Sequence, residues 1–92
     1  MDDDPIELEI DGVLDLHTFH PRDVNSLVPE YLAECQRRGL THARIIHGKG
    51  TGALQRRVHG LLERNPLVSS FRLASSDASS WGATLVELVA MD

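Results

Sequence analysis

Three groups of residues in this chain combine types and spacings that could do chemistry. The first is His47-Gly48-Lys49-Gly50-Thr51-Gly52, where glycine alternates with other residues. Glycine frees the backbone from side-chain bulk and reaches positive φ at little cost. Successive N–H groups in such a turn can converge on an anion, best of all where the turn opens a helix. Lys49 adds a mobile positive charge, and Arg56 and Arg57 follow one to two helical turns on. The segment reads as a phosphate grip built from Gly48, Lys49, Gly50, Thr51, Gly52, Arg56 and Arg57. The plain alternative is a tight strand-to-helix connection. It is not a P-loop, which needs a longer spacer between its first glycine and Gly-Lys. A dinucleotide site needs an acidic residue at the end of its second strand, where this chain has Leu73-Ala74-Ser75.

The second group is Asp15 and His17. A carboxylate beside an imidazole orients it and raises its basicity, which suits general acid–base work near neutral pH. Standing alone, the two would be ordinary surface groups. His47 is the third group, at the end of a second strand. If the two strands are parallel neighbours, their C-terminal ends gather Asp15, His17, His47 and the glycine turn around one crevice, where open α/β sheets bind ligands. His17, His20 and His47 match no zinc signature and the chain has no cysteine pair, so no structural metal is expected. His42 and His59 are expected at the surface, and Trp81 to fill a gap near Gly82.

The elements that must position these groups follow from apolar spacing. Ile6, Leu8 and Ile10 alternate with period two, and Asp11-Gly12 suits a hairpin turn into a strand over residues 13–17. Residues 1–12 are thus an acidic arm or an extra strand ahead of a domain over residues 13–92. Pro21 opens a helix whose stripe is Val24, Leu27, Val28, Tyr31, Leu32 and Cys35. That stripe keeps its phase across Pro29, which predicts one kinked helix, and Gly39 suits its end. Residues 43–47 form a buried strand. The helix after the glycine turn carries Leu54, Val58, Leu61 and Leu62, and Asn65-Pro66 stops it. Strands over residues 67–74 and 82–89 flank a small polar loop. The order (β)βαβαββ predicts an α/β fold: a mixed sheet of four strands, or five with the N-terminal one, with two helices on one face.

Composition bounds the function. The chain has 92 residues, enough for one core, and 41% of them are hydrophobic. Aromatics are only 4%, so stacking platforms for bases are mostly missing. The net charge of −5 conceals segregation: seven of the 14 acids lie in residues 1–17. Residues 36–64 hold seven Lys/Arg against the single acid Glu63, a surface suited to a polyanion. A lone cysteine, Cys35, fits a reducing compartment. The acidic N-terminus is unlike a secretory signal, and no apolar run approaches the ~20 residues of a membrane span. A cytoplasmic protein with no membrane association is expected.

These motifs resemble the small MutS-related, or Smr, domain family over about residues 13–89. The carriers are Leu14-Asp15-Leu16-His17, then Ile46-His47-Gly48-Lys49-Gly50-Thr51-Gly52, then Trp81-Gly82-Ala83-Thr84-Leu85-Val86-Glu87-Leu88. The resemblance implies a fold like the C-terminal domain of translation initiation factor three. It also implies nucleic-acid binding, with endonuclease activity on DNA or ribosome-associated RNA in several members. The family's Asp-Leu-His motif falls on Asp15, Leu16 and His17, and its His-Gly-x-Gly motif on His47, Gly48, Lys49 and Gly50. The sequence departs from the family pattern at Thr18, where many members carry glycine, and at Ser79-Ser80, where many carry a glycine pair. The chain is expected to be the domain standing alone. Combining the two lines of reasoning, His17 is the expected general base or acid, oriented by Asp15. His47 is the expected second group for proton transfer or phosphate contact. On RNA a 2′-hydroxyl can attack without a metal; on DNA water must attack, and a divalent cation (Mg or Mn) could help through Asp15. The rival expectation is a non-catalytic module that binds nucleic acid or the ribosome.

Overall fold

The computed structural model describes residues 10–48, 52–74 and 82–90. The expected strand over residues 6–10 therefore lies almost wholly outside the described residues, as do Lys49, Gly50, Thr51, Trp81 and the Ser79-Ser80 departure. Among the described residues, four strands and two helices follow in chain order: β1 (Val13–Asp15), α1 (Val24–Arg37), β2 (His42–Ile46), α2 (Ala53–Glu63), β3 (Val68–Leu73) and β4 (Ala83–Leu88). The sheet order is β1-β2-β4-β3. β1 pairs parallel with β2, while β4 runs antiparallel to both β2 and β3. The last strand is thus inserted in the middle of the sheet rather than added at its edge.

Both helices cover one face. Val24, Val28, Tyr31, Leu32 and Cys35 of α1 and Val58 and Leu62 of α2 are buried with Leu14, Ala43, Ile45, Val86 and Leu88 of the sheet. The buried strand residues alternate, as a sheet covered on one face requires. α1 runs through Pro29 as one helix. It ends in a Schellman motif: the N–H of Leu40 donates to the carbonyl of Cys35 and that of Gly39 to Gln36, both at 3.0 Å.

The first strand is shorter than its apolar alternation suggests. It stops at Asp15, and Leu16–Thr18 forms a 3-10 turn that keeps Leu16 in the core. A second 3-10 turn, Pro21–Asp23, precedes α1. The hairpin expected at Asp11-Gly12 needs a strand that lies almost wholly outside the described residues, but the bonds of the turn itself are clear. Asp11 Oδ1 accepts the Val13 N–H at 3.0 Å, the Gly12 carbonyl accepts from Arg44 at 2.6 Å, and the Gly12 N–H donates to Tyr31 Oη at 3.0 Å. Tyr31 Oη in turn donates to the Val13 carbonyl at 3.1 Å, joining α1 to the start of β1. Burial, with the Cys35 thiol second, pushes the Tyr31 hydroxyl up to about 12, so it stays protonated and keeps both bonds. Tyr31→Phe strands the buried Gly12 N–H. It is expected to cost about 1–3 kcal/mol in urea unfolding, far more than an exposed tyrosine would.

Candidate active site

Asp15 ends β1 because its own side chain caps the turn that follows. Oδ1 accepts the backbone N–H of His17 at 2.9 Å and also faces His17 Nδ1 at 2.8 Å. The backbone N–H bond is the main cause holding this carboxyl below its usual value of 3.8, against a smaller opposing effect of burial. An ionised carboxylate can only accept, so His17 Nδ1 carries the proton and Nε2 presents a lone pair in the neutral ring. The pair is open to solvent, with side chains 49% (Asp15) and 63% (His17) exposed.

Nε2 faces the glycine turn. Gly48 has φ +82°, and a Cβ added there would lie 3.0 Å from His17 Nε2. On the other side of Gly48 lies Gly82, where an added Cβ would fall 2.9 Å from Gly48 Cα and 3.1 Å from its carbonyl carbon. The Gly82 carbonyl accepts both the His47 and the Gly48 N–H, at 2.7 and 2.8 Å. Gly82 and Gly48 therefore meet backbone to backbone with no room for a Cβ at Gly82, and a side chain at Gly48 would crowd the imidazole of His17. Gly52 leads into α2, and the guanidinium of Arg56 folds back over it, with Nη1 3.2 Å from where a Gly52 Cβ would sit. Arg57 instead donates to the Pro21 carbonyl at 2.7 Å and ties α2 to the second 3-10 turn.

The structure brings Asp15, His17 and Gly48 together at the C-terminal ends of β1 and β2, and sets Arg56 against Gly52 where α2 begins. His47 is adjacent but turned inward, with only 5% of its surface exposed. Its Nδ1 lies 2.9 Å from the Gly48 carbonyl and its Nε2 2.8 Å from Thr84 Oγ1. A direct role in proton transfer or phosphate contact would require one of these bonds to break. The parity of β2 explains the placement: His47 follows Ala43 and Ile45 on the core-facing side.

A domain-family model described as the Smr domain matches residues 14–89. The chain belongs to the Smr domain family. The protein named Endonuclease MutS2 of Halothermothrix orenii is 37% identical over 79 residues, 86% of this chain and 10% of that protein. The Endonuclease MutS2 of Caldicellulosiruptor saccharolyticus is 38% identical over 82 residues, 89% of this chain and again 10% of that protein. The Smr domain thus spans about a tenth of the length of these curated relatives. The crystal structure of the Smr domain of Thermus thermophilus MutS2 superposes with a TM-score of 0.72 at 33% identity, over 84% of this chain and 96% of that one. YdaL, a stand-alone small MutS-related protein of Escherichia coli, shares the fold at a TM-score of 0.75 and 23% identity, covering 84% of this chain and 63% of that one.

Two features of this Smr domain escape a reading of its sequence. The surplus of arginine over residues 36–64 is smaller than the count suggests. Glu34, just outside that window, pairs with both Arg37 and Arg38. Hydrogen bonds from those guanidiniums hold its carboxyl below the usual range. Of the described arginines in that window, Arg56 is the one that lies over the glycine turn. Second, His59 is not a surface residue. It is half-buried against Phe71, with ring centroids 4.9 Å apart, and its Nε2 lies 2.8 Å from Thr84 Oγ1. Burial, then the neighbouring His47, pushes its pKa below 6.5, so its ring is neutral at physiological pH. The legible signal was Thr84, a hydroxyl on the core-facing parity of β4 that had to find a partner.

Among the described residues no group of three or more His, Cys, Asp or Glu is placed to hold a metal ion. No helix among them is long and apolar enough to cross a membrane.

Proposed function

We propose that this Smr domain binds nucleic acid at the glycine turn and cleaves its phosphodiester backbone with His17 as the proton-transfer group. The observation that carries this reading is the contact of His17 Nε2 with Gly48. It puts a basic nitrogen, its tautomer set by Asp15, against the backbone that would hold a phosphate. The naming of its relatives as endonucleases supports the same reaction class. The openness of the dyad suits a polymer drawn across the surface rather than a small ligand enclosed in a cleft.

His17 Nε2 takes the proton of the attacking oxygen, whose electron pair forms the new bond to phosphorus. The bond to the leaving oxygen breaks, and that oxygen takes a proton from water at the open site. The N–H groups of the turn, with Lys49 and Arg56, offset the charge that grows on the phosphate oxygens. With RNA the attacking group is the neighbouring 2′-hydroxyl; with DNA it is water. A divalent cation would have to be completed by substrate phosphate, with Asp15 as the carboxylate nearest the reaction. His47 supports the turn from behind. With its one cysteine buried and its thiol pushed up by that burial, the domain fits a reducing cytoplasm.

Incubating purified protein with labelled RNA and DNA, with and without EDTA, tests the reading. Cleavage of either polymer is expected, and EDTA sensitivity would assign the cation. Salt-dependent binding without any cleavage would instead establish a binding module, including one that docks on ribosomal RNA. Arg56→Ala is expected to weaken binding about equally for all sequences and to lower the slope of log K against log salt by about 1. An unchanged slope would place the polyanion elsewhere.

A further inference from the structure

We propose that Thr84 and His59 are positioning residues of the glycine turn, holding the Gly48 carbonyl in place through the buried ring of His47. Three elements meet behind the turn: His47 follows β2, Thr84 lies in β4 and His59 in α2. The contacts are Gly48 carbonyl to His47 Nδ1 at 2.9 Å, His47 Nε2 to Thr84 Oγ1 at 2.8 Å and Thr84 Oγ1 to His59 Nε2 at 2.8 Å.

For a neutral His47 ring the direction of each bond follows from chemistry. A carbonyl oxygen only accepts, so His47 Nδ1 must donate to Gly48. The neutral ring then has its lone pair at Nε2, so the Thr84 hydroxyl must donate to it. Having donated, Thr84 Oγ1 accepts from His59, whose Nε2 carries the proton. Each group holds one proton and none conflicts. Among the described residues, no buried side-chain nitrogen or oxygen lacks a partner. The chain therefore runs one way, from α2 through β4 to the backbone of the turn.

Thr84 is wholly buried on the face that β4 otherwise fills with Val86 and Leu88, where valine would have the same shape. What the hydroxyl adds is a donor for His47. Without it, Nε2 is left unpaired in the core and the ring loses the bond that fixes its rotation. The Gly48 peptide that touches His17 then loses its support from behind. The glycine backbone cannot supply that support itself, because it has few conformational restraints.

The functional consequence rests on the reading of this turn as the nucleic-acid site, whereas the wiring does not. Imidazole 15N NMR of the wild-type domain is expected to show His47 protonated on Nδ1 and His59 on Nε2. His47 protonated on Nε2 alone would overturn the proposal without any variant. Thr84→Val is expected to stay folded, to change the nitrogen shifts of both rings and the Gly48 carbonyl 13C shift, and to weaken nucleic-acid binding or cleavage about tenfold. Thr84→Ser, which keeps the hydroxyl, should restore all three to near wild type. A valine variant with wild-type ring and carbonyl shifts, or a serine variant as damaged as valine, would overturn it. Should the wild type neither bind nor cleave nucleic acid, the NMR readouts still decide the wiring.

Discussion

Replacing His17 with alanine is expected to lower the rate of phosphodiester cleavage by about a hundredfold to ten-thousandfold, the range in which a positioned proton-transfer group contributes. The fold should survive, because the imidazole is largely exposed and the backbone N–H of residue 17 still donates to Asp15. Affinity should change little, since the proposed grip consists of the turn and Arg56. A fall in kcat at constant Kd is therefore the expected signature, measured by single-turnover cleavage alongside direct binding. Asp15→Ala should cost activity in the same direction by freeing the tautomer of His17, and stability as well. Asp15 also caps the 3-10 turn, and loss of a cap costs about 1 kcal/mol. The sign of the pH dependence follows from the depressed carboxyl. Asp15 stays ionised well below neutral pH, so its capping contribution is present above about 3.8 and fades only as pH falls through its lowered folded value. A His17→Ala protein that cleaves as fast as wild type would remove His17 from the chemistry.

Gly82→Ala is expected to be strongly damaging, because among the described glycines it is the one whose Cβ would meet backbone atoms closer than 3.0 Å. The new Cβ would sit 2.9 Å from Gly48 Cα and 3.2 Å from its nitrogen. Both segments are backbone, so no side chain can swing aside. They are also clamped by two hydrogen bonds to the Gly82 carbonyl. Relief requires β4 and the turn to part, which breaks those bonds at the point where Gly48 meets His17. Overpacking of this kind costs about 1–3 kcal/mol, and the lost bonds raise the expected total to about 3–4 kcal/mol. Urea unfolding reads the stability loss, and nucleic-acid binding reads the displaced turn. By contrast, Gly60→Ala puts its Cβ 3.7 Å from the flexible end of Arg64, an ordinary contact. It should leave binding intact and serves as the control. If Gly82→Ala is as stable and as active as Gly60→Ala, the glycine contact does not shape the site.

Much of this architecture was readable from local spacing. The stripe of Val24, Val28, Tyr31, Leu32 and Cys35 specifies α1, and Gly39 its end, because helix periodicity and capping depend on residues within one turn of each other. The meeting of Asp15 with His17 was legible for the same reason: two residues apart, they need no distant partner to be neighbours. Even so, the local reading extended β1 to residue 17, since alternation alone does not reveal that Asp15 would turn its carboxylate onto the next N–H and end the strand. His47 follows β2 beside Gly48, as its place in the sequence suggests, and its ring is buried between the Gly48 carbonyl and Thr84. Its parity with Ala43 and Ile45 turns it inward.

What the sequence by itself determined, then, is what short-range physics can specify: the elements, their faces, the dyad and the glycine-rich turn beside a basic helix. Tertiary structure alone decided how those parts are closed together. Inserting β4 between β2 and β3 brings Gly82 onto Gly48 and slides Thr84 between His47 and His59, residues 34, 37 and 25 positions apart in the chain respectively. Such contacts leave no periodic trace, because they depend on strand order and register across the whole sheet. The alternating glycines of residues 48–52 were readable as a turn between strand and helix suited to an anion. The Gly82 carbonyl and the Thr84 hydroxyl behind Gly48 and His47 come from the β4 side, whereas the nitrogen that faces Gly48 comes from the turn after β1.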